Sequence, residues 1–263
     1  MKRFPYFTTL VVLFLIACGG TTIATTQPPP SPAPTDTLEP TFTPLPTSTF
    51  TPVPTETPDF TATAASQATE AAGTILSELD TLLAGTDIPY KDGSLAWHQS
   101  DPVTINMSGP QTVDNFQGID KNFSAGNFIF KSDVTWNATG VIICGAIFRS
   151  EEDVEKGKQY EFYFYRLSGL PAYFIDVYES RNFLNTITDA KFSSELDVSN
   201  GATNSFVLIA QDNQFNVYLN GKRQGRYFDN SKQRAEGYFA FLAWQESGKG
   251  SCKFENSWIW VLK

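Results

Sequence analysis

The chain has 263 residues, with 28 Asp and Glu against 19 Lys and Arg, one histidine, three cysteines and a formal net charge of −9. An acidic chain without a basic stripe lacks the electrostatic footprint of a nucleic-acid binder, so no nucleic-acid partner is expected. The lone His98 has no partner motif for nucleophilic catalysis, and no His, Cys or carboxylate group has metal-ligand spacing. No catalytic residue, metal or cofactor is therefore expected.

At the N-terminus, Lys2 and Arg3 precede an apolar run from Leu10 to Ala17. That run is far shorter than the ~20 residues a helix needs to cross a bilayer, and its flanks are those of an export signal. The segment Leu15-Ile16-Ala17-Cys18-Gly19-Gly20 resembles the lipobox of bacterial lipoproteins. The resemblance implies that residues 1–17 are a signal peptide and that Cys18 becomes the lipidated first residue of the mature protein. The partner would then be the membrane, reached through the lipid, and the location extracytoplasmic, on the cell membrane or cell surface. A signal anchor or ordinary secretory peptide with a chance cysteine is the alternative.

Residues 18–60 read as a linker. Eleven of the sixteen prolines fall between residues 21 and 60, many beside threonine. Such a segment has too little to bury to offset the entropy of folding, and its prolines bias it to extended polyproline II, a disordered but semi-rigid stalk. Charge follows the same division: residues 19–87 carry eight acids and no base, whereas the chain from Ile88 onward has 20 acids and 17 bases. The negative charge is thus concentrated in the stalk.

Residues 61–85 change character. The segment 62–83 is rich in helix formers, stops before Gly85, and places Ile75, Leu76, Leu79, Leu82 and Leu83 on one stripe. This predicts a short amphipathic helix that docks on the following domain or, alternatively, seeds self-association.

Residues 88–263 turn to strand patterns. Residues 127–136 alternate, with Phe128, Phe130, Val134 and Trp136 opposite Lys131, Asp133 and Thr135, and residues 141–148 form a nearly continuous apolar run. Further strands are expected at 160–167, 172–178, 185–192, 205–211, 215–219, 237–244 and 253–262. Turn signals at Ser168-Gly169, Asn200-Gly201, Asp212-Asn213 and Ser247-Gly248 separate many of them. In the segment 215–228, Phe215, Val217 and Leu219 alternate with polar residues, and Asn220-Gly221 supplies a type I′ hairpin turn. Many short strands with regular turns predict an all-β sandwich or barrel. Cys144 and Cys252 fall on or beside core strands and are expected to pair in an oxidising compartment; two buried thiols are the alternative.

The order FNVYLNG, YFD, EGYFAFLA and a closing FENSWIWVL resembles the C-terminal half of concanavalin A-like jelly rolls, above all laminin G-like domains and related sugar-hydrolase-like domains of bacterial surface proteins. The resemblance covers residues 123–262 and implies a jelly-roll sandwich, a fold that hosts lectins, glycosidases and adhesion modules alike. Glycosidases of this fold carry carboxylates at alternate positions of one strand. Glu151, Asp153 and Glu155 have that alternation, but Glu152 departs from the pattern and Lys156-Gly157-Lys158 reads as a turn, so a solvated hairpin loop is expected.

The remaining signal is aromatic: 30 of the 176 residues from Ile88 onward are Phe, Tyr or Trp. Glu161, Tyr163 and Tyr165 share one face of their strand, and Phe174, Asp176 and Tyr178 one face of the next. Tyr163, Tyr165, Asp176 and Tyr178 are the candidate ligand-binding residues; the alternative is that the tyrosines fill a sandwich core. The expected function is that of a surface-anchored lipoprotein displaying a non-catalytic domain for a carbohydrate or another envelope ligand. A glycoside hydrolase of the same fold and a structural or adhesion module binding protein are the alternatives.

Overall fold

The computed structural model describes residues 60–109, 115–167 and 170–263. The expected signal peptide, Cys18, the expected Thr/Pro-rich linker up to residue 59 and the expected Ser168-Gly169 turn lie outside the described residues. Among the described residues, no helix is long and apolar enough to cross a membrane.

One helix, α1 (Phe60–Leu82), precedes thirteen strands: β1 (Ser94–His98), β2 (Val103–Ser108), β3 (Asn115–Gly118), β4 (Phe128–Ala138), β5 (Ile142–Ser150), β6 (Lys158–Leu167), β7 (Leu170–Glu179), β8 (Asn182–Phe192), β9 (Thr203–Gln211), β10 (Gln214–Leu219), β11 (Lys222–Phe228), β12 (Tyr238–Gln245) and β13 (Lys249–Val261). They form two antiparallel sheets. The first runs β1-β13-β4-β9-β10-β11, with β2 also paired to β13; the second runs β3-β12-β5-β6-β7-β8. Two such sheets packed face to face, with the chain passing repeatedly from one layer to the other, make the all-β jelly-roll sandwich.

Period two explains the core. Phe128, Phe130, Val134 and Trp136 of β4 point inward, with Phe206 and Leu208 of β9 and Phe215, Val217 and Leu219 of β10. From the second sheet they meet Phe148, Phe162, Phe164, Ile175 and Phe241. Cys144 of β5 and Cys252 of β13 are disulfide-bonded, tying one sheet to the other across this core. The β10–β11 hairpin turns at Asn220 (φ 47°) and Gly221 (φ 77°), the two positive angles a type I′ turn requires. Gly145 is needed where β5 approaches β6, because a Cβ there would collide with the Phe162 carbonyl.

A bulge in β13 decides what lies outside the first sheet. Glu255 pairs with Asp133 but Trp258 with Lys131, so β13 holds one residue more than β4 between those points. One extra residue reverses the in–out alternation. Cys252 and Phe254 therefore face the core, whereas Trp258 and Trp260 face outward, beneath α1. Ile75, Leu79 and Leu83, spaced at i, i+4 and i+8, bury one stripe of the helical segment against Ile129, Val207, Ile209, Trp258 and Trp260. Polar contacts fix the angle: the Trp260 indole N–H donates to the Tyr90 carbonyl (2.9 Å), the Tyr90 hydroxyl to Asp80 (2.7 Å), and Lys131 pairs with Glu78 (3.4 Å). The helix thus roofs the outer face of the first sheet.

Candidate functional site

Among the described residues, no helix lies over the outer face of the second sheet. In the β6–β7 pairing Tyr165 lies opposite Ala172, Tyr163 opposite Phe174, Glu161 opposite Asp176 and Gln159 opposite Tyr178. Alternation sends Phe162, Phe164, Tyr173, Ile175 and Val177 into the core. It sends the facing set outward, so the register brings Tyr163, Tyr165, Asp176 and Tyr178 onto one surface.

The rings on that surface are ordered by one another. Phe174 stacks on Tyr165 (centroids 5.2 Å apart, 25° between planes) and on Tyr163 (5.3 Å, 21°), and all three are half-buried. Offset stacks of this kind are worth about 0.5–1.5 kcal/mol per pair beyond burial. Farther along, Tyr178 meets Phe183 of β8 edge-on at 5.9 Å, and Phe183 is 57% exposed. On the other side, Phe116 and Val154 pack with Tyr163 against Ile147, Ala240 and Leu242.

Beside the rings, along the same strand face, lies a polar row. Ser150 donates to the Gln159 side-chain oxygen (3.0 Å), and the Gln159 amide donates to Glu161 (2.8 Å). The Tyr163 hydroxyl donates to Asp176 Oδ2, while Asp176 Oδ1 is buried and accepts no hydrogen bond. Glu161 and Asp176, cross-strand neighbours, are only 2% and 4% exposed. Burial pushes the Asp176 carboxyl above its ordinary value, with the Tyr163 hydrogen bond opposing. Burial, then the bond to Asp176, drives the Tyr163 phenol well above its usual range, so it stays a donor. Chemically this is an apolar stack with a short set of oriented polar groups, unlike the polar surface of a solvated sheet face.

The acidic run 151–155 lies in the β5–β6 loop, where three of its four carboxylates are already engaged. Asp153 accepts the Glu155 and Lys156 N–H groups (3.0 and 3.2 Å), Glu151 pairs with Arg234 (3.1 Å), and Glu155 pairs with Arg181 (3.4 Å). Glu151, Asp153 and Glu155 share no strand face as an acid–nucleophile set would require. His98 is exposed on β1, and among the described residues no group of three His, Cys, Asp or Glu is placed to hold a metal. Three residues beyond the four candidates complete this arrangement: Glu161, which shares the strand face of Tyr163 and Tyr165, and two more. Phe174, whose alternation with Asp176 and Tyr178 marks it, is the middle ring of the stack; Gln159, which orients Glu161, has no comparable signal.

No protein-family model and no curated protein matches the sequence. Among solved structures, the chain is similar to a carbohydrate-binding module from Bacillus subtilis, with 16% identity and a TM-score of 0.40 over 59% of this chain and 92% of that one. It is also similar to a Bacillus licheniformis β-glucanase, with 10% identity and a TM-score of 0.42 over 62% of this chain and 79% of that one. A Saccharomyces cerevisiae protein of unknown function has 8% identity and a TM-score of 0.42, over 66% and 98%. These are likenesses of fold.

Proposed function

We propose that the chain is an extracytoplasmic binding protein, lipid-anchored through Cys18, whose sandwich recognises a carbohydrate on the outer face of the second sheet without chemistry. The observation that carries the binding role is the Tyr165–Phe174–Tyr163 stack beside the buried Glu161–Asp176 pair, on a face that no helix covers among the described residues. Rings present apolar surface to the C–H patches of a sugar, and the buried Asp176 carboxyl holds the Tyr163 ring in place through its hydroxyl. The anchoring role rests on the N-terminal sequence, and the Pro/Thr stalk would hold the domain away from the membrane. Residues 1–17 would be removed, 18–60 would form the linker, and the helix and residues 88–263 would form the displayed body.

A glycan array probed with the full-length protein tests the binding role. Retention of a glycan without turnover, lost in Tyr165→Ala, is the expected result. Cleavage of the bound glycan would favour the hydrolase alternative, and silence on glycans with specific capture of an envelope protein would favour the adhesion alternative. Replacing Cys18 by Ser tests the anchor: the protein should leave the membrane fraction or fail to be processed, and unchanged lipid-dependent retention would refute lipidation.

A further inference from the structure

The large apolar side chains exposed among the described residues are not scattered. Leu170, Phe183, Leu184 and Phe192 belong to β7 and β8, and Phe228 alone lies elsewhere. Strand pairing places three of the four on the face of the aromatic stack. Phe192, 65% exposed, lies opposite Ala172, which is itself opposite Tyr165. Phe183 lies opposite Tyr178, and Leu170 precedes Ala172 by two positions in β7. Cross-strand partners share a face, as do alternate residues of one strand. Phe192, Tyr165, Phe174, Tyr163, Tyr178 and Phe183 therefore follow one another along β7. From the level of Ala172 to that of Tyr178 the strip runs about 20 Å at the rise of a strand. That is several times the width of one sugar ring.

An exposed apolar surface of this extent marks an interaction site. A further strand fits this edge poorly. β8 holds one residue more than β7 between Tyr173 and Ile175, again between Ile175 and Asp176, and again between Val177 and Tyr178. Such bulges twist an edge away from pairing with another chain. An anionic partner fits poorly as well. The outward register of β6 and β7 holds Glu161 and Asp176 but no lysine or arginine. Cations at the Tyr178 end are engaged, Lys158 with Glu179 (3.9 Å) and Arg181 with Glu155 (3.4 Å). A polyuronate or sulfated chain would find no counter-charge along this register.

We propose that the strip binds several consecutive units of an uncharged polysaccharide lying along β7, with Phe192 beside the stack at one end and Phe183 as a separate subsite at the other. Ring surfaces contact the C–H faces of successive sugars and need no charge to do so. A single sugar engages the stack alone, whereas a longer chain also covers Phe183 and gains contact with each added unit. The inference rests on the reading of this face as a glycan site, and adds to it a substrate class and a reach.

The experiment is calorimetric titration of the full-length protein with cello-, xylo-, manno- and chito-oligosaccharides, each as trimer and hexamer, and with hexagalacturonate. At least one uncharged hexamer should bind at least tenfold more tightly than its own trimer. Hexagalacturonate should bind at least tenfold more weakly than that hexamer. Phe183→Ala should weaken the hexamer at least threefold and leave the trimer unchanged, whereas Phe192→Ala and Tyr165→Ala should weaken both. Phe183 and Phe192 are exposed, so neither substitution should disturb the fold. Equal affinity for trimer and hexamer, both lost in Tyr165→Ala, overturns the extended chain and leaves the glycan site standing. Tight binding of hexagalacturonate overturns the uncharged class. Silence toward every one of these oligosaccharides overturns the inference even where the array retains another glycan. Self-association of the protein that Phe183→Ala and Phe192→Ala abolish would make the strip an interface between copies, and overturn it too.

Discussion

The outer faces of the two sheets begin from the same pleated backbone and end differently. On the first, Ile129, Val207, Ile209, Trp258 and Trp260 lie under Ile75, Leu79 and Leu83 of the helical segment. On the second, Tyr163, Tyr165, Phe174 and Tyr178 are only half-covered, and two carboxyls are buried among them. The first face follows the usual rule that an apolar sheet surface recruits a layer. The second breaks the complementary rule that an uncovered sheet surface turns polar toward water. Packing accounts for the helix-covered face. The other keeps rings and desolvated acids that packing alone gives no reason to keep, which is why the binding role is assigned there.

This contrast can be broken, starting with what joins the two layers. Replacing Cys144 and Cys252 by Ala opens a 108-residue loop. It should lower the unfolding free energy by about 4–5 kcal/mol in the chain-entropy estimate, read from denaturant titration. Next, Leu79→Ala removes a fully buried side chain from the roof of the first sheet and should cost about 2–5 kcal/mol, with glycan affinity unchanged. An affinity loss matching that of the aromatic variants would dissolve the distinction between the faces. Tyr165→Ala should do the opposite, costing less stability than Leu79→Ala while lowering glycan affinity about tenfold.

The smallest effect is a pH dependence. Because the folded Asp176 carboxyl titrates above its unfolded value of 3.8, the native state holds a proton that the unfolded chain releases. Its contribution to stability is therefore fullest below that value and is lost as pH rises through the folded pKa. Asp229 runs the other way. Burial alone would raise it, but hydrogen bonds from Ser231, Tyr160 and the Gln233 N–H outweigh burial and hold it below 3.8, so its contribution is lost as pH falls. Asp176→Asn removes only the first effect. Its stability relative to wild type should rise in thermal melts as pH increases above 3.8 and through the folded pKa, and a flat difference would contradict the assigned burial.

Much of the sandwich was legible because period two is local. The alternation in β4 and the Asn220-Gly221 turn can be read without knowing any partner strand. β1, β2 and β3 were not read, since they are short edge strands and their partners lie far along the chain in β12 and β13. The outward placement of Trp258 and Trp260 also escaped, because alternation counted from Phe254 points the wrong way past the bulge. For the site, the shared face of Tyr163, Tyr165, Asp176 and Tyr178 follows from strand register. The burial of Asp176 does not, since it depends on how Tyr163 folds across it. The shared face of Phe183 and Phe192 escaped too, because three bulges in β8 break the count from one end of that strand to the other.

The central claim is tested most directly by titrating isotope-labelled protein with a glycan retained on the array and following amide and aromatic resonances. Perturbations should centre on Tyr163, Tyr165, Phe174 and Tyr178, with the amides of Ile129, Val207 and Ile209 silent. Perturbations centred on the helix-covered face, or none near the stack, would contradict the account.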